Sequence, residues 1–148
     1  IVGFINYGEV DLWGLDASLA IFFNREWTLN LTYSHLGMNE FLNPITNAYD
    51  PINAPQHKAG MQLQYIPRKF PFNFTLNARY VDAFRWSSGI YYGQINAYTI
   101  FDLHSGYEIN DQLKINLTIN NILNHRHTEI MGGPKIGQMI VLRLQASL

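Results

Sequence analysis

The sequence has no cysteine, few charged side chains and no long apolar run. Without cysteine, its 148 residues form no disulfide and no thiolate metal site, although this leaves the cellular compartment open. The 10 Lys and Arg residues against 11 Asp and Glu residues give a formal net charge of −1, so no basic stripe favours a nucleic-acid partner. No run approaches the roughly 18 apolar residues of a transmembrane helix, and none resembles a signal peptide. Such an absence does not make a protein soluble, because barrel strands alternate polar and apolar residues and escape hydropathy detection.

The main pattern in the chain is alternation of apolar and polar side chains with a period of two. Between Leu113 and Asn120, Leu and Ile point one way while Lys, Asn and Thr point the other. The same alternation predicts about seven strands of roughly ten residues, the length that a tilted strand needs to cross a bilayer. The predicted strands span residues 3–23, 27–34, 57–65, 72–80, 99–109, 112–120 and 140–148.

The connections between these strands alternate between short and long. Short polar turns occupy residues 24–26, 66–71 and 110–111. Residues 35–56, 81–97 and 121–135 are rich in Pro, Asn and Gly, have no sustained period, and are predicted to be loops. This asymmetry is typical of an outer-membrane barrel with short periplasmic turns and long extracellular loops.

A soluble β-sandwich or a lipocalin-like binding protein is the alternative, since alternation alone fits both. The polar face, however, is rich in Asn, Gln and Thr with scattered charge, whereas a soluble sheet surface usually carries abundant Lys and Glu. Aromatic residues gather near the strand ends, as in the two aromatic girdles of a membrane barrel. Those beside the short turns are Phe23, Trp27, Tyr65, Phe72 and Tyr107, and those near the long loops are Trp13, Tyr33, Tyr80 and Phe101.

Seven strands cannot close a barrel by themselves. Each open edge in lipid would leave a ladder of unpaired backbone groups, at several kcal/mol per group. Single-chain bacterial barrels also use even strand numbers. We therefore expect the chain to be the C-terminal piece of something longer, completed by strands from upstream or from another chain.

Several segments of the chain resemble those of a known family. They are Tyr98-Thr99-Ile100-Phe101-Asp102-Leu103 with Gly106-Tyr107, Asn120-Asn121-Ile122-Leu123-Asn124, and Gly132-Gly133-Pro134 with Gly137. Glu9-Val10 to Leu19, Ala54-Pro55-Gln56-His57 and Arg79-Tyr80-Val81-Asp82 add to the match. In combination, the chain resembles the C-terminal part of the barrel of a TonB-dependent outer-membrane receptor, a family that imports siderophores, cobalamin or sugars.

The resemblance implies an all-β, antiparallel transmembrane segment of a larger barrel, of about 22 strands. Residues 1–148 would be the C-terminal portion of that barrel, without the plug domain and the earlier strands. The implied location is the outer membrane of a Gram-negative bacterium. The implied partners are lipid, the remaining strands, the plug, TonB through the N-terminal region, and a small-molecule ligand such as a siderophore–iron complex. A passive porin-like barrel or a split structural subunit is the second hypothesis.

Two loops contain the candidate ligand-binding residues. These residues are Arg85, Trp86, Tyr91, Tyr92, His125, Arg126 and His127. Aromatic rings with a neighbouring Arg bind planar or anionic molecules, including metal–siderophore complexes. The alternative is that these rings only pack the loops against one another.

The alternation also predicts a set of charged and polar side chains facing the barrel lumen. They are Asp16, Lys58, Arg79, Asp102, His104, Glu108, Lys114 and Arg143. The carboxylates of this set are expected to pair with its cations, lining a hydrated interior or docking a plug.

Nothing in the sequence predicts an enzyme. His125, His127 and Glu129 have side chains of the types that bind zinc, but solvated loop histidines are the favoured interpretation. Asp102 and His104 share a face, yet no serine nucleophile accompanies them, and a hydrogen-bond network in the lumen is favoured over a catalytic dyad. No phosphate loop or cofactor fingerprint is present. We therefore expect a transporter with no catalytic residue, no metal and no cofactor.

Overall fold

The computed structural model describes residues 9–147, in which eleven β-strands form. The strands are β1 (Gly14–Phe22), β2 (Trp27–Leu36), β3 (Glu40–Asn43), β4 (Ala48–Pro51), β5 (His57–Tyr65), β6 (Phe72–Val81), β7 (Phe84–Ser88), β8 (Tyr91–Ile95), β9 (Tyr98–Asn110), β10 (Leu113–Asn120) and β11 (Met139–Ala146). Within these residues no helix has the length and apolar character needed to cross a membrane.

Seven of the strands form one antiparallel sheet in the order β1-β2-β5-β6-β9-β10-β11. Strands that are adjacent in this sheet follow one another along the chain, with two small hairpins inserted between them. The hairpin β3–β4 lies between β2 and β5, the hairpin β7–β8 lies between β6 and β9, and each forms a separate two-stranded sheet. The predicted seven-stranded antiparallel segment is confirmed. Among the described residues the first strand begins at Gly14, so residues 9–13 of the strand predicted over 3–23 are not strand. Residues 3–8 and 148 of the predicted outer strands lie outside the described residues.

The prediction of irregular loops over residues 35–56 and 81–97 is wrong in part, because each contains a hairpin. In the first, Glu40 pairs with Pro51; in the second, Phe84 pairs with Ile95. Strands of four or five residues are too short to show a clear period of two, so the sequence pattern did not separate them from loop.

The register places apolar and polar side chains on opposite faces of the large sheet. Leu31 is opposite both Leu19 and Met61, while its neighbour Asn30 is opposite Gln62 and donates a hydrogen bond of 3.1 Å from Nδ2 to Gln62 Oε1. The apolar face is not packed as a core: Leu142 is 71% exposed and Leu19 is 56% exposed. An uncovered aliphatic face is what contact with lipid requires, and it contradicts the soluble sandwich.

The buried hydrophobic cluster lies instead on the polar face, at the end of the sheet that carries the long loops. Val81 of β6 is opposite Tyr98 of β9, and Ile100 lies on the same face. The hairpin β7–β8 places Phe84 and Ile95 against them. The cluster therefore anchors the hairpin to the inner side of the wall, an arrangement that strand periodicity did not predict.

Candidate functional site

A cavity of about 860 Å³ lies on the polar face, between the middle of the sheet and the long loops. Its volume is in the range of small-molecule sites. Amide and hydroxyl side chains of the wall line its floor, and Lys58 and Arg79 add positive charge. Trp86 and Tyr98 contribute rings, and Glu129 closes one side from the loop that follows β10.

Arg85 connects three strands of the two hairpins. Its Nη1 donates a hydrogen bond of 3.0 Å to Glu40 Oε1 on β3, and its Nη2 donates to the Tyr92 hydroxyl on β8. The hydrogen bond to Glu40 is the main reason that the pKa of Arg85 lies above its ordinary value. Sequence reasoning did not identify Glu40 as the partner because 45 residues separate the two.

The aromatic side chains of the β7–β8 hairpin divide into packed and exposed groups. Trp86 packs against the buried cluster, with its ring 6.3 Å from that of Phe84. Tyr91 and Tyr92 are 51% and 59% exposed. The ring of Tyr91 lies where a Cβ at Gly132 would be, so the hairpin and the loop after β10 approach closely at a glycine.

A second contact joins the β7–β8 hairpin to the loop before β5. Asn53 Nδ2 donates to the Ser87 carbonyl at 2.9 Å, and Ser87 N–H donates to Asn53 Oδ1 at 2.7 Å. Asn53 has a φ of 63°, a left-handed conformation that asparagine tolerates better than most residues. No local sequence pattern pairs Asn53 with Ser87, because 34 residues separate the two.

His127 is buried, whereas His125 and Arg126 are exposed. The ring of His127 lies 4.5 Å from that of Tyr98, and its Nδ1 is 3.1 Å from the His125 carbonyl oxygen. Its Nε2 is 3.1 Å from Glu129 Oε1. The interpretation of both residues as solvated loop histidines is therefore wrong for His127, because the loop folds back onto the wall.

Glu129 connects this loop to the wall. Arg79 Nη2 on β6 donates a hydrogen bond of 2.8 Å to the same Oε1 that His127 approaches. Partial burial acts to raise the pKa of Glu129, but the hydrogen bonds from His127 and Arg79 outweigh it, so that pKa lies below its ordinary value. The Arg79 guanidinium also lies 5.7 Å from the centre of the Tyr98 ring.

The other predicted lumen residues lie on the polar face, with varied partners. Lys114 and Glu108 pair across β9 and β10 at 2.5 Å, and His104 Nδ1 is 3.2 Å from Thr118 Oγ1. Asp102 Oδ1 accepts a hydrogen bond of 2.7 Å from the N–H of Asn121, the residue that follows β10. The Asp102 carboxylate therefore fixes the backbone at the end of β10 and does not pair with His104. Within residues 9–147, no ion pair is found for the three remaining members, Asp16, Lys58 and Arg143.

The asparagine-rich segment after β10 is a structural turn. Asn121 is 3% exposed, has a φ of 56°, and exchanges hydrogen bonds of 2.9 Å with both the N–H and the carbonyl of His125. Asn124 Oδ1 accepts the Gln138 N–H at 3.0 Å, which ties the two ends of the loop together. These residues position His127 and Glu129 against the wall.

The arrangement is suited to binding rather than to covalent chemistry. In the part of the chain that the structure describes, no three or more His, Asp and Glu side chains are grouped so as to hold a metal ion. His104 and Asp102 have separate partners. What the site offers is a cavity with two cations, the rings of Trp86 and Tyr98, and loops that are fastened to the wall.

Comparison with known proteins agrees with this architecture. The profile of the family described as TonB dependent receptor-like, beta-barrel matches residues 2–122. No curated protein shows significant sequence similarity to the chain.

Several solved structures share the fold. The closed form of the ferric-catecholate import receptor Fiu from E. coli K12 superposes with a TM-score of 0.70 at 16% identity, covering 91% of this chain and 20% of that chain. The siderophore receptor PiuA from Acinetobacter baumannii gives 0.67 at 16% identity, covering 91% and 21%. The copper transporter OprC gives 0.71 at 13% identity, covering 93% and 23%. The chain thus spans about a fifth of the length of these proteins.

Proposed function

Because this chain belongs to the TonB-dependent receptor-like β-barrel family, we propose that it forms part of the wall of an active importer. The segment lies in the outer membrane of Gram-negative bacteria, and the family consists of receptors rather than enzymes. In our proposal the complete protein binds a scarce solute at the long loops and moves it along the lumen with energy supplied through TonB. The remaining strands and a plug domain complete the pore.

The observation that carries the proposal is the loop-side cavity on the polar face. A passive pore needs only a hydrated wall, whereas here a hairpin and a loop are fastened over the inner side of the strands by Arg79–Glu129 and Asn53–Ser87. Ordered loops over a cavity support selective capture, because a preorganised site loses less entropy on binding.

The candidate ligand contacts divide into two groups in this proposal. Tyr91, Tyr92, His125 and Arg126 are exposed and can contact a solute directly. Arg85, Trp86 and His127 are engaged within the protein and set the position of the first group. Rings with a nearby cation suit a planar, anionic solute. A siderophore–iron complex fits that description best, and cobalamin and saccharides are the alternatives.

The lumen-facing set would guide the solute and contact the plug. Asp16, Lys58 and Arg143 are exposed on the polar face, without ion pairs among the described residues. Exposed charges on a concave wall can pair with charges on a domain that fills the barrel, or with a passing anion.

Gene deletion tests the proposed transport. Cells lacking the gene should lose uptake of one solute from a panel of ferric siderophores, cobalamin and saccharides supplied at limiting concentration. The intact gene should restore uptake, and should fail to do so in a strain without TonB. Uptake that continues at full rate without TonB would instead establish the passive barrel, and unchanged uptake of every solute would overturn the proposal.

A matched pair of arginine variants tests the position of the binding site. Arg126→Ala removes an exposed cation at the long-loop end, and Arg68→Ala removes an exposed cation beside a short turn at the other end. We expect Arg126→Ala to weaken solute binding to whole cells while Arg68→Ala leaves it unchanged. Equal effects of the two variants would contradict capture by the long loops.

A further inference from the structure

Two of the short turns lie side by side at the end of the sheet away from the long loops. Residues 23–26 connect β1 to β2, and residues 66–71 connect β5 to β6. The Ile66 N–H donates to the Glu26 carbonyl at 2.9 Å, and Glu26 Oε1 accepts the Arg68 N–H at 3.1 Å. These contacts join the two turns into one surface, which we call the turn patch.

The turn patch is basic in a protein whose charges nearly balance. Its ten residues include three cations and one acid, a formal net charge of +2. The cations are Arg25, Arg68 and Lys69, all exposed, and none of them forms an ion pair with another described residue. The turn between β9 and β10 differs, since it contains Asp111 and no cation. The positive charge is therefore confined to one section of this end of the wall.

A group of packed aromatic rings adjoins the turn patch. Trp27 at the start of β2 and Tyr65 at the end of β5 have ring centres 4.5 Å apart, and Phe74 of β6 lies 5.6 Å from each of these rings. Because Trp27 is two residues from Leu29, the group lies on the apolar face. Trp and Tyr on a lipid-facing surface lie at the level of the headgroups. The turn patch is thus at the headgroup level of the periplasmic leaflet, where barrels have their short turns.

The turn patch also exposes apolar side chains beside its cations. Phe23, Ile66 and Phe70 are each more than half exposed. Cations next to exposed apolar side chains suit a ligand that combines a negative charge with hydrocarbon, because each part of the ligand then meets a surface of its own kind. A phospholipid has that composition and is present at this level of the membrane, whereas a free phosphate ion would leave the apolar side chains without a partner.

We propose that the turn patch binds the headgroup of an anionic phospholipid from the periplasmic leaflet. The side chains of Arg25, Arg68 and Lys69 contact the headgroup phosphate, to which guanidinium groups can donate paired hydrogen bonds. The acyl chains lie along the rings of Trp27 and Tyr65. The bound lipid holds this section of the wall at a fixed depth in the bilayer. The surface lies at the opposite end of the wall from the lumen cavity, and the proposal does not depend on the proposed transport.

Fluorescence quenching by brominated lipids tests the proposal with the intact gene product in phosphatidylcholine bilayers. The signal is the part of the emission that Trp27→Phe removes, because this ring adjoins the turn patch. In the wild type, brominated phosphatidylglycerol should quench Trp27 at a lower mole fraction than brominated phosphatidylcholine. The double variant Arg25→Gln with Lys69→Gln should reduce this preference by at least about fivefold, the effect of one cation near an anionic surface. High salt should also reduce the wild-type preference.

The matched control removes one Arg and one Lys from the other end of the wall. Arg126 and Lys135 are exposed in the loop after β10, so Arg126→Gln with Lys135→Gln should keep the wild-type preference. Arg25→Lys with Lys69→Arg conserves the charge and should keep most of it, which separates loss of charge from a folding defect. Equal quenching of the wild type by the two lipids would overturn the proposal. An undiminished preference in Arg25→Gln with Lys69→Gln, or an equal loss in the control, would do the same.

Discussion

Arg79 and Glu129 form an ion pair of 2.8 Å between the strand wall and the loop after β10, across 50 residues of sequence. The pair connects an element that spans the membrane with one that closes over the lumen. His127 approaches the same carboxylate from the loop side, at 3.1 Å. One acidic side chain therefore contacts both the wall and the loop.

The first prediction concerns the pH dependence of this contact. Because the folded-state pKa of Glu129 is lowered, its stabilising contribution is fully present above the ordinary glutamate pKa of about 4.3. The contribution is lost as the pH falls through the lowered folded value. The hydrogen-exchange protection factors of residues 121–138, which are corrected for the intrinsic pH dependence of amide exchange, should therefore fall in that acid range. Glu129→Gln should show fast exchange already at neutral pH, and a wild-type pH profile in that variant would contradict the prediction.

The second prediction concerns two glycines with positive φ. Gly132 has a φ of 80° and contacts the Tyr91 ring, whereas Gly89 has a φ of 61° and no atom near its missing side chain. Gly89→Ala should cost about 1–2 kcal/mol, the strain of the left-handed conformation alone. Gly132→Ala adds a steric clash and should release the loop from the hairpin. Limited proteolysis should cut the loop of Gly132→Ala faster than that of Gly89→Ala, and equal rates would show that the Tyr91 contact is unimportant.

The third prediction tests the two faces of the wall. Leu31→Arg places a charge on the apolar face between Leu19 and Met61, and should cost about 2–4 kcal/mol of folding free energy in lipid. Asn30→Arg places the same side chain on the polar face, where it loses only the exposed hydrogen bond to Gln62. Folding titrations in bilayers measure both. Similar costs for the two variants would mean that the faces are assigned wrongly.

The fourth prediction concerns the turn that follows β10. Asn121→Ala removes two side-chain hydrogen bonds of 2.9 Å and leaves the partly buried N–H and carbonyl of His125 unpaired, at about 1–3 kcal/mol. Asn110→Ala removes one exposed hydrogen bond of 3.0 Å to the Gln112 N–H, at about 0.5–1.5 kcal/mol. Thermal unfolding should rank the variants in that order, and the reverse ranking would contradict a structural role for Asn121.

Strand identity and the faces of the wall were predictable from the sequence because a period of two is a local property. Residues 57–65 match β5 at both ends, and Leu31 and Asn30 lie on the faces that alternation assigns to them. The Lys114–Glu108 ion pair was predictable for the same reason, since a short turn makes β9 and β10 neighbours in the sheet. Aromatic residues at strand ends and alternating loop lengths indicated a membrane wall without any knowledge of contacts.

The arrangement of the loops was decided only by the tertiary structure. Arg85 with Glu40 and Arg79 with Glu129 are separated by 45 and 50 residues, and no local pattern pairs such positions. The inner hydrophobic cluster around Val81 depends on how the β7–β8 hairpin folds back over the wall. Backbone alternation specifies which way a strand side chain points, but the position of a loop side chain depends on the surface against which the loop packs.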